Sequence, residues 1–159
     1  MKKLAMMMAF AAMLITGFSC LKKDDTTCSD RSVAQDEPAI LSYLSTNGIT
    51  GYTKHSSGLY YKVLSSGTGA TPSLSSKVYV KYTGKFTNNN VFETVTDASK
   101  TGWVLGSLIQ GWQIGIPLIS KGGSIQLFIP SAMAYGCNAP GTIPANSILI
   151  FQIDLVDVL

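Results

Sequence analysis

One histidine, three cysteines and a charged fraction of only 13% leave this 159-residue chain with little equipment for most polar chemistry. The only imidazole, His55, falls in a loop-like joint at 51–58, which removes histidine-based triads and most zinc sites. Twelve lysines and arginines stand against nine acidic residues, for a net charge of +3. Without Lys2 and Lys3 the balance falls to ten against nine, which is the footprint of neither a nucleic-acid binder nor an acidic-partner surface. No apolar run reaches the ~20 residues of a comfortable bilayer-spanning helix. What is abundant is apolar material, 46% of residues. A chain of this composition and length folds around one core with room for an appendage.

The first twenty residues read as an address. Lys2 and Lys3 give a positive start, residues 4–15 are an apolar run with four methionines, and Thr16-Gly17-Phe18-Ser19 lead to Cys20. This is the pattern of a secretory signal peptide. Ordinary secretion with Cys20 incidental is one reading. The other is that Ser19-Cys20 resembles the lipobox of bacterial lipoproteins, in which the cysteine is acylated and becomes the mature N-terminus. Gly17 departs from that pattern, which has leucine there. The resemblance implies an exported lipoprotein held at a membrane, facing the periplasm or the cell surface, because buried acyl methylenes contribute ~0.8 kcal/mol each.

The expected organisation is a signal peptide over 1–19, a lipid-anchored flexible tether over 20–33, a short helical extension and joint over 34–57, and a compact domain over 58–159. In the extension, Asp36-Glu37-Pro38 suits a helix start and Gly48 a stop. Ile40, Leu41 and Leu44 predict one apolar stripe that packs on the domain or mediates a contact. The domain reads as strands with one brief helix. Strands are expected over 59–64, 77–86, 124–129 and 148–159, with Val78, Val80 and Tyr82 on one face and Lys81, Thr83 and Lys85 on the other. Asn88-Asn89-Asn90 is a turn, since asparagine tolerates left-handed backbone. Residues 109–119 form two helical turns, shortened by Gly115 and Pro117. Without long crossover helices the sheet is expected to be antiparallel, giving an α+β fold of five to six strands wrapped around one short helix.

Six motifs along the domain carry a family resemblance. They are Val80-Lys81-Tyr82-Thr83-Gly84, Val91-Phe92-Glu93, and Trp103-Val104-Leu105-Gly106 running into Leu108-Ile109-Gln110-Gly111-Trp112. Ile129-Pro130 with Ala134-Tyr135-Gly136, then Ile143-Pro144, then Leu149-Ile150-Phe151 complete the order. In order and spacing they resemble the FK506-binding protein (FKBP) family of peptidyl-prolyl cis/trans isomerases, across about two thirds of the chain. The resemblance implies a catalytic pocket of Tyr82, Phe92, Glu93, Ile109, Trp112, Tyr135 and Phe151. Trp103, Leu108 and Ile143 are implied as further substrate contacts, and Trp112 as the floor. The amide of Ile109 and the hydroxyl of Tyr135 are implied to grip substrate carbonyls. Glu93 stands where the family has aspartate, Trp103 where it has phenylalanine, and Thr101 where a further aromatic is common. The loop from Tyr135 to Pro144 is one residue shorter than in well-known small members.

Without the motifs, these apolar residues are what any strand core contains. With them, the implied partners are proline-containing segments of exported polypeptides, macrolides of the FK506 or rapamycin type as inhibitors, and a membrane through the N-terminal lipid. No cofactor, metal or nucleic acid is implied. The alternative is a proline-binding or chaperone-like module with little turnover, which the Glu93 replacement makes thinkable. Whether Cys28 and Cys137 pair in an oxidising compartment stays open at this level.

Overall fold

A computed structural model describes residues 28–159. The signal peptide, Cys20 and most of the segment read as a tether lie outside the described residues.

The first element is a helix, α1 (Val33–Thr46). Ser32 caps it: its hydroxyl accepts from the Gln35 amide, and the Gln35 side chain accepts from the Ser32 amide in return. That reciprocal pair satisfies two otherwise orphaned donors. The sequence places the start at Asp36-Glu37-Pro38, so the helix begins three residues earlier and Pro38 lies inside it. Pro38 and Ala34 are both exposed. The carbonyl that the proline ring cannot bond therefore has access to water, which softens the usual penalty. Asn47 closes the other end, its amide donating to the Tyr43 carbonyl at 3.0 Å.

Seven strands follow: β1 (Thr53–Lys54), β2 (Tyr60–Ser65), β3 (Lys77–Lys85), β4 (Val91–Val95), β5 (Trp103–Val104), β6 (Ser124–Ile129) and β7 (Leu149–Val158). They form one sheet in the order β1-β2-β6-β7-β3-β4, with β5 on β3, and every recorded pairing is antiparallel. The expected five to six strands become seven because β1 and β5, two residues each, are too short to carry a periodic signal. A second helix, α2 (Gln110–Gly115), crosses one face.

The alternation expected along β3 holds, with Val78, Val80 and Tyr82 buried. They join Ile125, Leu127 and Ile129 of β6 and Leu149, Phe151, Ile153 and Leu155 of β7 in the main core, closed by Trp112 and Ile116. Gly111 and Gly115 let α2 lie directly on the sheet: a Cβ at either would come within 2.5 Å of Ile129 or Leu127. The opposite face carries Tyr60, Phe128 and Ile150, and α1 covers it with Ile40, Tyr43 and Leu44. Full burial of an Ile or Leu is worth about 1.5–3 kcal/mol, so this cluster holds α1 firmly. The apolar stripe is Ile40–Tyr43–Leu44 rather than the expected Ile40–Leu41–Leu44. Leu41 lies to one side of that line and is 39% exposed.

Cys28 and Cys137 are joined by a disulfide with their Cα atoms 5.6 Å apart, spanning 109 residues of sequence. Closing a loop of that length restricts the unfolded chain by about 4–5 kcal/mol in the chain-entropy view. The disulfide ties the segment before α1 to the loop between β6 and β7.

Candidate functional site

The pocket is assembled from four parts of the sheet and the start of α2. Tyr82 projects from β3 and Phe151 from β7, and Gly84 rather than Tyr82 faces Phe151 in the register. The two rings therefore meet diagonally, centroids 6.0 Å apart. Trp112 enters from α2 and meets both edge-on: 5.1 Å from Tyr82 with planes at 85°, and 5.2 Å from Phe151 at 88°. Edge-to-face pairs add ~0.5–1.5 kcal/mol each beyond burial. Trp103 on β5 closes the third side, 6.2 Å from Tyr82 and 6.4 Å from Trp112. The three rings at the bottom are almost fully buried.

Above them opens a cavity of about 280 Å³, lined by Tyr82, Glu93, Trp103, Ser107, Leu108, Ile109, Trp112, Tyr135 and Phe151. Eight of the ten pocket residues named from the sequence are thus brought together. Phe92 and Ile143 are not in the lining. The Phe92 ring stands at 89° to Phe151, 5.6 Å away, and 5.0 Å from Phe86, so it buttresses the wall from behind. Ile143 is half-buried and packs on the main core. Ser107 lines the cavity unannounced by any motif: its hydroxyl donates to the Val104 carbonyl at 2.7 Å, part of the turn that leads into Leu108.

Ile109 is the residue that caps α2, in extended conformation, and its carbonyl accepts from the Trp112 and Gln113 amides. Gln113 secures this corner by donating its side-chain amide to the Gly106 and Leu108 carbonyls. Trp112 Nε1 is the one buried side-chain polar atom among the described residues with no hydrogen-bond partner. Leaving such a donor unpaired costs about 1–3 kcal/mol.

Glu93 is the only charged side chain in the lining. Burial pushes the Tyr82 phenol well above its ordinary value, and the neighbouring Glu93 carboxylate adds to the effect. Burial, then Glu93, also pushes the Tyr135 phenol up. Both hydroxyls therefore keep their protons as neutral donors throughout the physiological range. Tyr135 stands at the rim, 37% exposed. Thr101, in place of an aromatic, braces the backbone instead. Its hydroxyl donates to the Ala98 carbonyl and accepts from the Val80 amide. Among the described residues there is no group of three or more His, Cys, Asp or Glu side chains arranged to hold a metal.

The sequence profile for the FKBP-type peptidyl-prolyl cis-trans isomerase matches residues 69–156, more than half of the chain. The chain belongs to this FKBP-type family. An FKBP-type peptidyl-prolyl cis-trans isomerase FkpA from Aeromonas hydrophila is 34% identical over 130 residues, 80% of this chain and 48% of the relative. A probable FKBP-type isomerase from Haemophilus influenzae is 40% identical over 104 residues, 64% of this chain and 43% of the relative. The chain thus spans about half the length of these curated relatives. Among solved structures, FkpA from Escherichia coli superposes with a TM-score of 0.67 at 33% identity, covering 79% of this chain and 60% of that one. A peptidyl-prolyl cis-trans isomerase from Pseudomonas syringae superposes at 0.65 with 26% identity, covering 82% of this chain and 98% of that one. The FKBP-type assignment accords with the antiparallel sheet, the short α2 and the aromatic cluster between them.

Proposed function

We propose that the chain catalyses cis/trans isomerisation of X-Pro bonds in exported polypeptides by non-covalent catalysis in this pocket. The observation that carries the reading is the edge-on triad of Tyr82, Trp112 and Phe151 under a cavity of about 280 Å³. That volume lies near the small end of ligand sites, ~300–1,000 Å³, and suits a pyrrolidine ring with its flanking carbonyls.

The planar X-Pro bond is held by amide resonance, with a rotation barrier of ~18–20 kcal/mol. Twisting it breaks the resonance and makes the nitrogen pyramidal, so the transition state is less dipolar than the planar form. Walls of Tyr82, Trp103, Trp112 and Phe151 exclude the water that favours the planar, more dipolar state. The Ile109 amide and the Tyr135 hydroxyl hold the carbonyls on either side and keep the bond aligned for rotation. A fixed donor of this kind can contribute ~3–4 kcal/mol where it is aimed at the transition state. Glu93 orients the Tyr82 hydroxyl. This scheme forms no covalent bond to the protein.

Glu93 in place of the family's aspartate favours a second reading, a proline-binding or chaperone-like module with little turnover. A protease-independent isomerisation assay on several X-Pro peptides, with calorimetry of a rapamycin-type macrolide, separates the two. Turnover that the macrolide inhibits supports the enzyme. Macrolide binding without turnover supports the binding module, and neither overturns the pocket assignment.

The location proposed for this activity is outside the cytoplasm, at a membrane, through a lipid on Cys20. The Cys28–Cys137 disulfide supports an oxidising compartment. Cys20→Ser should release the protein into soluble fractions, and a variant that still partitions with membranes would refute the lipid anchor.

A further inference from the structure

Segment 28–36 makes more polar contacts with the pocket rim than a passive tether needs. Asp36 is 1% exposed, yet it is a carboxylate remote from the cavity lining. Its Oδ2 accepts from the Ser131 amide at 2.8 Å and the Ser131 hydroxyl at 2.6 Å, and its Oδ1 accepts from Arg31 Nε at 2.7 Å. Ser131 opens the turn that ends at Tyr135, and its carbonyl accepts from the Ala134 and Gly136 amides. On the far side of Tyr135, Asp30 Oδ1 accepts from the Cys137 amide at 2.7 Å, and Cys137 is covalently joined to Cys28. Asn146 completes the ring: its amide donates to the Gly136 carbonyl at 2.8 Å, and its side chain bonds Ser29 and Arg31. Tyr135 is therefore held on its upstream side at Ser131 and on its downstream side at Gly136 and Cys137, both times by a network that includes the same short segment.

We propose that segment 28–36 is a clamp that sets the position of Tyr135, with Asp30 and Asp36 as positioning residues and the Cys28–Cys137 disulfide as the covalent tie. The inference rests on the reading of Tyr135 as a substrate-gripping donor. A burial argument supports it. Sequestering a carboxylate is costly unless its lone pairs are filled, and α1 already has its apolar stripe to dock it. Asp36 instead fixes one particular alignment of the Ser131 turn, which is a matter of geometry at the rim. Tyr135 itself stands 37% exposed at the rim, between the two points at which this network holds its loop.

The test uses the full chain and Asp30→Ala, chosen because Asp30 is exposed and its loss should leave the core intact. With 3-fluorotyrosine incorporated, the fluorine resonance of Tyr135 is assigned by its disappearance in Tyr135→Phe. Asp30→Ala should shift and broaden that resonance while the Tyr79 signal stays in place, and reduction of the disulfide should do the same. In the isomerisation assay Asp30→Ala should lower kcat/KM about three- to tenfold, the worth of one hydrogen bond. The urea midpoint should be unchanged, and Asp30→Asn, whose side-chain oxygen still accepts, should restore most of the rate. In the Tyr135→Phe background Asp30→Ala should have no further effect. An unmoved Tyr135 resonance overturns the clamp, as does an equal rate loss in both backgrounds. A Tyr135→Phe chain as active as the wild type removes Tyr135 from the mechanism and the positioning role with it, while isomerase activity itself stands or falls on the wild-type rate.

Discussion

Gly84 faces Phe151 across the β3–β7 register, and the ring of Phe92 fills the space that a Cβ on Gly84 would occupy. A Cβ there would also come within 2.9 Å of Phe151. The buttress behind the pocket wall therefore depends on a missing side chain. Gly84→Ala should force both rings to move, with an overpacking cost of about 1–3 kcal/mol. Macrolide affinity should fall with it, because Phe151 is part of the wall. Urea denaturation and calorimetry read the two effects, and Phe92→Leu in the same chain should recover part of each by vacating the space.

The floor gives a contrast between two substitutions. Trp112→Ala removes the ring that Tyr82 and Phe151 meet edge-on, and truncations of this kind cost about 3–5 kcal/mol. Trp112→Phe keeps an aromatic floor and eliminates the unpartnered Nε1 donor, so its cost should be well below that of alanine. Equal urea midpoints for the two variants would show that the floor is not carried by ring packing.

The pocket was legible because its motifs specify both residue type and spacing, and most of them lie on elements with a clear period. Val78, Val80 and Tyr82 alternate along β3, and Ile125, Leu127 and Ile129 along β6, so the core face follows from pleat alone. The start of α1 was also written in the chain, as Ser32 followed by Gln35, but a glutamine in the capping box is a weaker cue than Asp36-Glu37-Pro38 downstream. Leu41 is as apolar as Leu44, and only the helix's rotation about its axis decides which meets the sheet. The Cys28–Cys137 pair could not be read, since 109 residues of sequence separation leave the approach of its ends to tertiary structure. Phe92 sits in the pocket motif yet buttresses from behind, because the ring at Phe86 and the empty Gly84 draw it away from the opening.

The buried phenols predict an alkaline limit to stability. Tyr82 and Tyr135 are pushed up by burial and then by Glu93, and burial also raises Tyr43 and Tyr60. Each is raised above its unfolded value of about 10. Below that pH both states keep the proton and the contribution is fully present. Above it the unfolded chain ionises first, so stability is lost as pH rises toward the folded value. Unfolding free energy should be flat between about pH 7 and 9 and should decline beyond about 10. Lys54, raised by its bond to Glu37, acts in the same direction, so the contrast that isolates the pocket is Tyr82→Phe. That variant should flatten part of the decline in urea titrations run across this range, and an unchanged slope would contradict the assignment to Tyr82.

Glu93→Gln separates charge from shape at the one ionic group of the lining. Glu93 is exposed on β4 and pairs with Gly84 across the β3–β4 register, so an isosteric amide should leave the fold and the urea midpoint unchanged. Burial first, and the carboxylate second, push the Tyr82 and Tyr135 phenols up. If the carboxylate orients Tyr82 as the wall closes on a twisting X-Pro bond, its loss should appear in kcat and leave KM nearly constant. The expected fall in kcat/KM is about three- to tenfold, the range for one modest hydrogen bond. Glu93→Asp should restore the rate to the wild-type level or above, since it retracts the charge by one methylene while keeping it. Steady-state isomerisation kinetics on a single X-Pro peptide read all three chains. Equal kcat in the wild type and Glu93→Gln would make the carboxylate a bystander and leave the aromatic walls, Ile109 and Tyr135 to carry the reaction.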